Sequence, residues 1–376
     1  VFFLKMKLLK LKIKSYKKLL SLISIYLFFF VIGDLIFSNF FYDKPVKYGC
    51  IKKYEYFFEL EKNCNAHEKL ISGVNSYKVY TNNEGHRFNG KKSKKPEDKM
   101  AIFFGASYTY GWGLDYEKTF VGILDNSDHS YFIKNFSVPA YSPTVFYYQA
   151  KQIKKKDKHP KKIFLVLDQS YVMKEANQWK KTNEDKPQLL KKNEKNKGSF
   201  WKNFRHNNLK ITRLISININ SFFRNIRHKT KTKNEFNNEI PMKSFWADFI
   251  HIEWSKLNQD EHWEPHGIEG GLKIIEEKIY KTSLIAKEMK SEFYIIIYPW
   301  IDTLQNGQKY FNWENYAEKI CKNSNCTGVI NLFPDFRQYK LNNENWATDL
   351  YLRDDPHWTE KGHQLVAEKI FKYLID

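Results

Sequence analysis

The residues best placed to do chemistry in this chain stand in two short pieces about 250 positions apart. Gly105-Ala106-Ser107-Tyr108-Thr109-Tyr110-Gly111-Trp112-Gly113 follows an apolar, strand-like run, Met100–Phe104. It sets a serine on the turn where that strand should hand over to a helix. Asp354-Asp355-Pro356-His357-Trp358 sets an aspartate three residues before a histidine, just ahead of a C-terminal amphipathic stretch. A serine hydroxyl becomes a nucleophile when a base takes its proton, and the base needs an acid to orient it. Ser107, His357 and Asp354 supply those parts, with Asp355 as the alternative acid. The glycine spacing fits neither G-x-G-x-x-G nor G-x-x-x-x-G-K, which argues against a phosphate cradle.

These side chains need a scaffold, and the sequence predicts one. Apolar runs suited to buried parallel strands occur at Met100–Phe104, Tyr131–Phe136, Lys162–Leu167, Glu292–Tyr298 and Gly328–Leu332. Helical patterns lie between and after them, from Thr119 to beyond Leu124, then Thr144–Lys155, Ile268–Met289, Trp313–Lys322 and roughly Glu360–Leu374. Such alternation predicts an α/β fold, a parallel sheet of about five strands covered on both faces. Functional loops in such folds sit at the carboxyl ends of the strands, where Ser107 falls.

With those motifs in place, the chain resembles the SGNH (GDSL-type) hydrolases over about residues 76 to 374, the insertion described below excepted. Tyr80-Thr81-Asn82-Asn83-Glu84-Gly85-His86-Arg87 is similar to the lead-in of membrane-anchored and secreted members, with His86 and Arg87 read as structural. Gly105-Ala106-Ser107-Tyr108-Thr109 matches the nucleophile block, and Asn135-Phe136-Ser137-Val138-Pro139-Ala140-Tyr141-Ser142-Pro143 the second block. Asp354-Asp355-Pro356-His357, followed by Gly362-His363, is similar to the last block. The resemblance implies a flavodoxin-like three-layer αβα sandwich and acyl-transfer chemistry. It favours Asp354 as the orienting acid and implies an oxyanion hole from the N–H groups of Ser107 and Ala140, with the Gln169 amide as third donor. Ala140 stands where the family usually has glycine. After the third strand the chain reads Asp168-Gln169-Ser170-Tyr171, with no family asparagine. His363 is expected to pack or cap.

The net charge of +20 suggests a nucleic-acid binder until it is mapped. Residues 1–18 hold seven lysines and no acid, and residues 174–235 carry a net +12, so the catalytic body is close to neutral. Leu19–Phe41 has the length and apolarity of a membrane-spanning helix, and the lysines before it predict a cytoplasmic N-terminus. The expected organisation is a basic tail (1–18), a signal-anchor (19–41), an extracytoplasmic lead-in (42–99) and a catalytic domain (100–376). A basic insertion interrupts that domain at about 175–265, with Phe204, Ile211, Ile215, Phe222 and Ile226 at helix-like intervals. Periplasmic or extracellular placement makes disulfides Cys50–Cys64 and Cys321–Cys326 plausible. No C-x-x-C pair occurs, and Pro265 breaks the helical spacing of His262 and His266, so neither metal nor cofactor is expected.

The function expected is a serine esterase removing an acyl group, acetyl above all, from an envelope glycan or small molecule. An O-acyltransferase with the same triad and a carbohydrate acceptor is the alternative, as is a catalytically weak glycan-binding or assembly protein. Nucleic acid is not an expected partner.

Overall fold

Five of the strands form the parallel heart of an eight-stranded sheet in this computed structural model. The structure describes residues 2–38, 49–53, 58–69, 76–91, 95–157, 159–180, 186–190, 209, 211–212, 265–308, 311–352 and 355–375. In chain order the strands are β1 (Ile51–Lys53), β2 (Phe58–Leu60), β3 (Asn65–Lys69), β4 (Ser76–Thr81), β5 (Arg87–Phe88), β6 (Met100–Phe104), β7 (Phe132–Asn135), β8 (Lys162–Leu167), β9 (Glu292–Ile297) and β10 (Gly328–Asn331). The described helices are α1 (Phe2–Ile36), α2 (Ser107–Tyr110), α3 (Phe120–Asn126), α4 (Pro143–Lys154), α5 (Tyr171–Asn177), α6 (Gly267–Glu288), α7 (Ile301–Asn306), α8 (Trp313–Ser324), α9 (Phe333–Asn342), α10 (Trp346–Leu350) and α11 (Glu360–Phe371).

The large sheet runs β10-β9-β8-β6-β7-β5-β4-β3. Counted from β6, its parallel strands have the doubly wound order 2-1-3-4-5, whose switch point lies between the first and third strands. That places the crevice at the carboxyl ends of β6 and β8, where Ser107 and Gln169 follow. The expected sheet of five strands is therefore extended. The lead-in segment adds β5, β4 and β3 antiparallel along the β7 edge, while β1 and β2 pair as a separate hairpin.

Alternation along each buried strand explains the two layers. Met100, Ile102 and Phe104 join one core with Ile163, Leu165, Leu167, Phe293, Ile295 and residues of α4 and α6. Their neighbours Ala101, Phe103, Phe164, Val166 and Ile296 join a second core with residues of α3 and α11. Successive strand residues point to opposite faces, so each apolar run feeds both layers. Each fully buried large apolar side chain contributes about 2 kcal/mol by leaving water.

The chain divides into two units, Val1–Lys44 with Lys191–Glu239, and Pro45–Leu190 with Ile240–Asp376. Counted over the described residues alone, no helix is long and apolar enough to cross a membrane, so the span read over 19–41 is not shown. The 35-residue α1 ends at Ile36 and presents exposed apolar side chains, among them Leu22, Ile25, Leu27, Phe28 and Phe29. Asp34, the one charge in that apolar stretch, is buried. Its carboxylate accepts from the N–H groups of Ile211 and Thr212 (2.9 and 2.8 Å) and the hydroxyls of Thr212 and Ser38 (2.6 and 2.8 Å). Apart from Ile211, the apolar positions of the expected basic helix lie outside the described residues. The cysteines pair as Cys50–Cys64 and Cys321–Cys326, with Cα–Cα separations of 5.7 and 4.9 Å.

Candidate active site

The serine turn is closed by packing against the Thr109 side chain that admits no side chain at Gly105. β6 ends at Phe104, and Ser107 opens α2, half-buried, after Ala106 at φ −106° and ψ −141°. A Cβ on Gly105 would lie 2.0 Å from Thr109 Oγ1, so only glycine lets the turn close this tightly. Gly111 ends α2 in the left-handed region (φ 81°), and its N–H donates to the carbonyls of Ser107 and Tyr108.

Arg87 holds this short helix from behind. Its guanidinium is buried, stacks over the Tyr110 ring at 4.5 Å, and donates to the carbonyls of Tyr110, Gly111 (2.9 Å) and Leu114 (2.5 Å). A cation suits the carbonyl end of a helix, and the planar fork reaches several acceptors at once. The lead-in residue therefore has a definite structural task.

Tyr108 ties the two motif blocks together. Its hydroxyl donates to the Pro356 carbonyl (2.5 Å), and its ring lies 4.7 Å from that of His357. Tyr298 and Trp358 pack against the same ring, forming an aromatic wall around the histidine loop.

The carboxylate that meets the histidine is Asp355. His357 Nδ1 lies 2.5 Å from Asp355 Oδ1, which also accepts the His357 backbone N–H at 3.0 Å. Burial pushes the Asp355 pKa up, but the charge and two hydrogen bonds of His357 outweigh it and hold the carboxyl below its usual value. Asp354, the acid favoured by the sequence, lies outside the described residues. The Asp355 contact is local in origin: an Asp-Pro-His turn folds this carboxylate back onto the ring and backbone N–H of the residue two positions on. His357 Nε2 is buried and has no hydrogen-bond partner among the described residues. One nitrogen is thus fixed and the other is available.

The second and third blocks take distinct shapes. Asn135 accepts from Ser137 through N–H (3.1 Å) and hydroxyl and donates to the Thr109 carbonyl (3.1 Å), joining the second block to α2. Ala140 has φ 69°, the left-handed conformation that glycine adopts without strain. In the third block Asp168 accepts from Ser170 and from the Tyr298 hydroxyl, while Gln169 is buried and donates one amide hydrogen to Thr303 Oγ1 at 3.1 Å. Among the described residues, the second amide hydrogen of Gln169 has no acceptor. His363 is buried and accepts the Phe120 N–H (3.1 Å), so it caps α3 rather than its own helix. Among the described residues there is no cluster of His, Cys, Asp and Glu fit for a metal.

Sequence reasoning missed the Arg87 clamp and the Tyr108 tether. Both depend on contacts between distant segments, and only the placement of Arg87 next to a motif hinted at either.

No protein-family profile and no curated protein sequence matches the chain. Among solved structures it is similar to a lipolytic protein of the G-D-S-L family from Veillonella parvula (12% identity, TM-score 0.39, covering 73% of this chain and 97% of that one). It is similar also to the esterase EstA from Pseudoalteromonas (9%, 0.36, 73% and 95%) and to a catalytic mutant of the acetylxylan esterase Axe2 from Geobacillus stearothermophilus (8%, 0.38, 74% and 95%). At these identities and TM-scores the likeness decides neither reaction nor substrate, which must be read from the side chains.

Proposed function

We propose that the chain is a serine esterase in which Ser107 is the nucleophile, His357 its base and Asp355 the orienting acid. The observation that carries this reading is the histidine: Nδ1 held by a carboxylate at 2.5 Å, Nε2 buried with no partner among the described residues, and the ring against the residue that follows Ser107. With Nδ1–H donated to Asp355, Nε2 presents its lone pair to the hydroxyl proton as serine attacks an ester carbonyl. Asp355 then stabilises the imidazolium that forms. The oxyanion takes hydrogen bonds from the N–H groups of Ser107 and Ala140 and from the remaining amide hydrogen of Gln169. The alcohol leaves with the proton held by His357, and water releases the acyl-enzyme by the reverse sequence.

The substrate we favour is an acyl ester, acetyl before others, on an envelope glycan or a small molecule. Attachment to a membrane through α1 is part of the proposal and is supported by its exposed apolar side chains behind a lysine-rich start. Placement of the catalytic unit outside the cytoplasm is supported by the two cystine bridges, which persist in oxidising compartments.

The test is intact-mass labelling of the full chain in detergent with a fluorophosphonate, which reports an activated serine without the natural substrate. One adduct is expected on the wild type and none on Ser107→Ala or His357→Ala. A folded wild-type protein that takes no adduct would sink the reading.

A further inference from the structure

A cavity of about 420 Å³ lies in the unit formed by Pro45–Leu190 and Ile240–Asp376, and neither Ser107 nor His357 lines it. Its walls are the β1–β2 hairpin, the turn at Glu84–His86, the second-block loop and one side of α4. Two restraints hold the hairpin in place. The Cys50–Cys64 bridge ties its flanks, and the Tyr141 hydroxyl donates to the Phe58 carbonyl at 2.8 Å. A pocket with walls fixed in this way binds without first paying an ordering cost.

The lining is half apolar and half polar, in a way that narrows the ligand. Leu60, Phe136 and Ile153 supply apolar surface, and Tyr141 and Tyr148 supply aromatic rings. Two lining residues carry buried polar atoms that find no hydrogen-bond partner among the described residues, Gln149 Oε1 and His86 Nδ1. The Gln149 amide nitrogen is engaged by the Phe136 carbonyl (2.9 Å), which fixes Oε1 as an acceptor awaiting a donor. His86 Nδ1 is 3.5 Å from Glu84 Oε2, at the limit of a hydrogen bond, and that carboxylate is already bound by Lys134 and Lys156 at 2.6 and 2.5 Å. Burial holds the His86 pKa below its usual value, so the ring is neutral. At the rim Lys52, Lys62 and Lys156 are balanced by Glu59, Glu61 and Glu84.

We propose that this cavity is a carbohydrate-binding site for a neutral sugar of one or two rings, separate from the catalytic serine. Gln149 Oε1 has no donor among the described residues, and a small local adjustment would let a ligand hydroxyl supply one. Tyrosine rings and aliphatic side chains suit the apolar face of a pyranose, while the balanced rim gives no net charge to attract an anion. The volume lies in the range of small-molecule sites. The second-block loop supplies both Tyr141 in the pocket and Ala140 in the proposed oxyanion hole, so a sugar bound here sits beside the catalytic loop. The reading does not depend on whether Ser107 reacts.

The experiment is saturation-transfer NMR on the full chain in detergent with xylobiose, maltose and diacetylchitobiose as probes. At least one should bind with Kd of about 0.1–10 mM, the range of a few hydrogen bonds and one stacked ring. Binding should persist in Ser107→Ala, weaken at least ~10-fold in Gln149→Leu and vanish in Leu60→Trp, which fills the cavity. Thermal melts of each variant establish that it is folded, and a variant that fails to fold is replaced by Tyr148→Ala with the same expected loss. The proposal is overturned if no probe binds, if binding ignores the pocket variants, or if Ser107→Ala abolishes it. Fluorophosphonate labelling reads only the serine, so failure of one reading leaves the other standing.

Discussion

Two substitutions at the histidine loop separate neighbouring carboxylates that the sequence alone left open. Asp355 contacts Nδ1, so Asp355→Asn loses the charge that stabilises the imidazolium and favours the wrong tautomer. The expected fall in labelling rate is about 10³- to 10⁴-fold, whereas Asp354→Asn stays within about threefold of wild type. A loss of that size in Asp354→Asn, with Asp355→Asn near wild type, would return the role to Asp354. At Ala140 the left-handed backbone carries a strain of about 1–2 kcal/mol, partly offset by the lower entropy of unfolded alanine relative to glycine. Ala140→Gly should therefore raise stability by about 0.5 kcal/mol and leave labelling unchanged, while Ala140→Val loses at least about 1 kcal/mol and slows it. Denaturant midpoints and labelling rates measured together check both.

Among the elements, legibility followed how much of the signal was local. Strands β6 and β8 are buried on both faces, and the five parallel runs all end within a residue or so of the observed boundaries. Strands β3 to β5 are short and polar on one side, as in Asn65–Lys69, and gain definition only from pairing along the β7 edge. α9 begins with Phe-Pro, a helix-start signal that the preceding strand-like run obscured. The acid on His357 was ambiguous for a related reason: both aspartates sit at workable spacing, and the contact of Asp355 with Nδ1 depends on the fold of the turn. The Arg87 clamp, formed between a lead-in strand and the serine helix, yields its own prediction. Arg87→Met leaves the Tyr110 and Leu114 carbonyls without that donor, at about 1–3 kcal/mol for each buried acceptor. Stability should drop by about 3 kcal/mol and labelling should slow as α2 loosens, with Arg87→Lys intermediate in both. An unchanged unfolding midpoint would mean the guanidinium holds nothing.

At the scale of the whole molecule, His363 makes stability depend on pH. It stands on α11, caps α3 and is fully enclosed, and burial, aided by nearby His357 and Arg87, lowers its pKa to about 3. The unfolded chain has an ordinary histidine near 6.5, so between those values only the unfolded state takes up the proton. Stability from this group is complete above pH 6.5 and falls as pH drops toward 3. At pH 5 the loss is about 2 kcal/mol relative to pH 8. Buried carboxyls act in the opposite sense. Asp125, raised by burial to about 6, and Glu175, also raised by burial, make the fold more stable as pH falls through their range. The wild-type profile is therefore a difference of opposed slopes, and only a variant isolates the histidine. His363→Gln keeps a neutral acceptor for the Phe120 N–H and removes the titration. It should be less stable than wild type at pH 8, where packing alone decides. Its deficit should shrink by about 2 kcal/mol at pH 5, because wild type alone is penalised there. Parallel unfolding curves at the two pH values, with a constant difference between the proteins, would show that the enclosed imidazole does not set the acid limit of the fold.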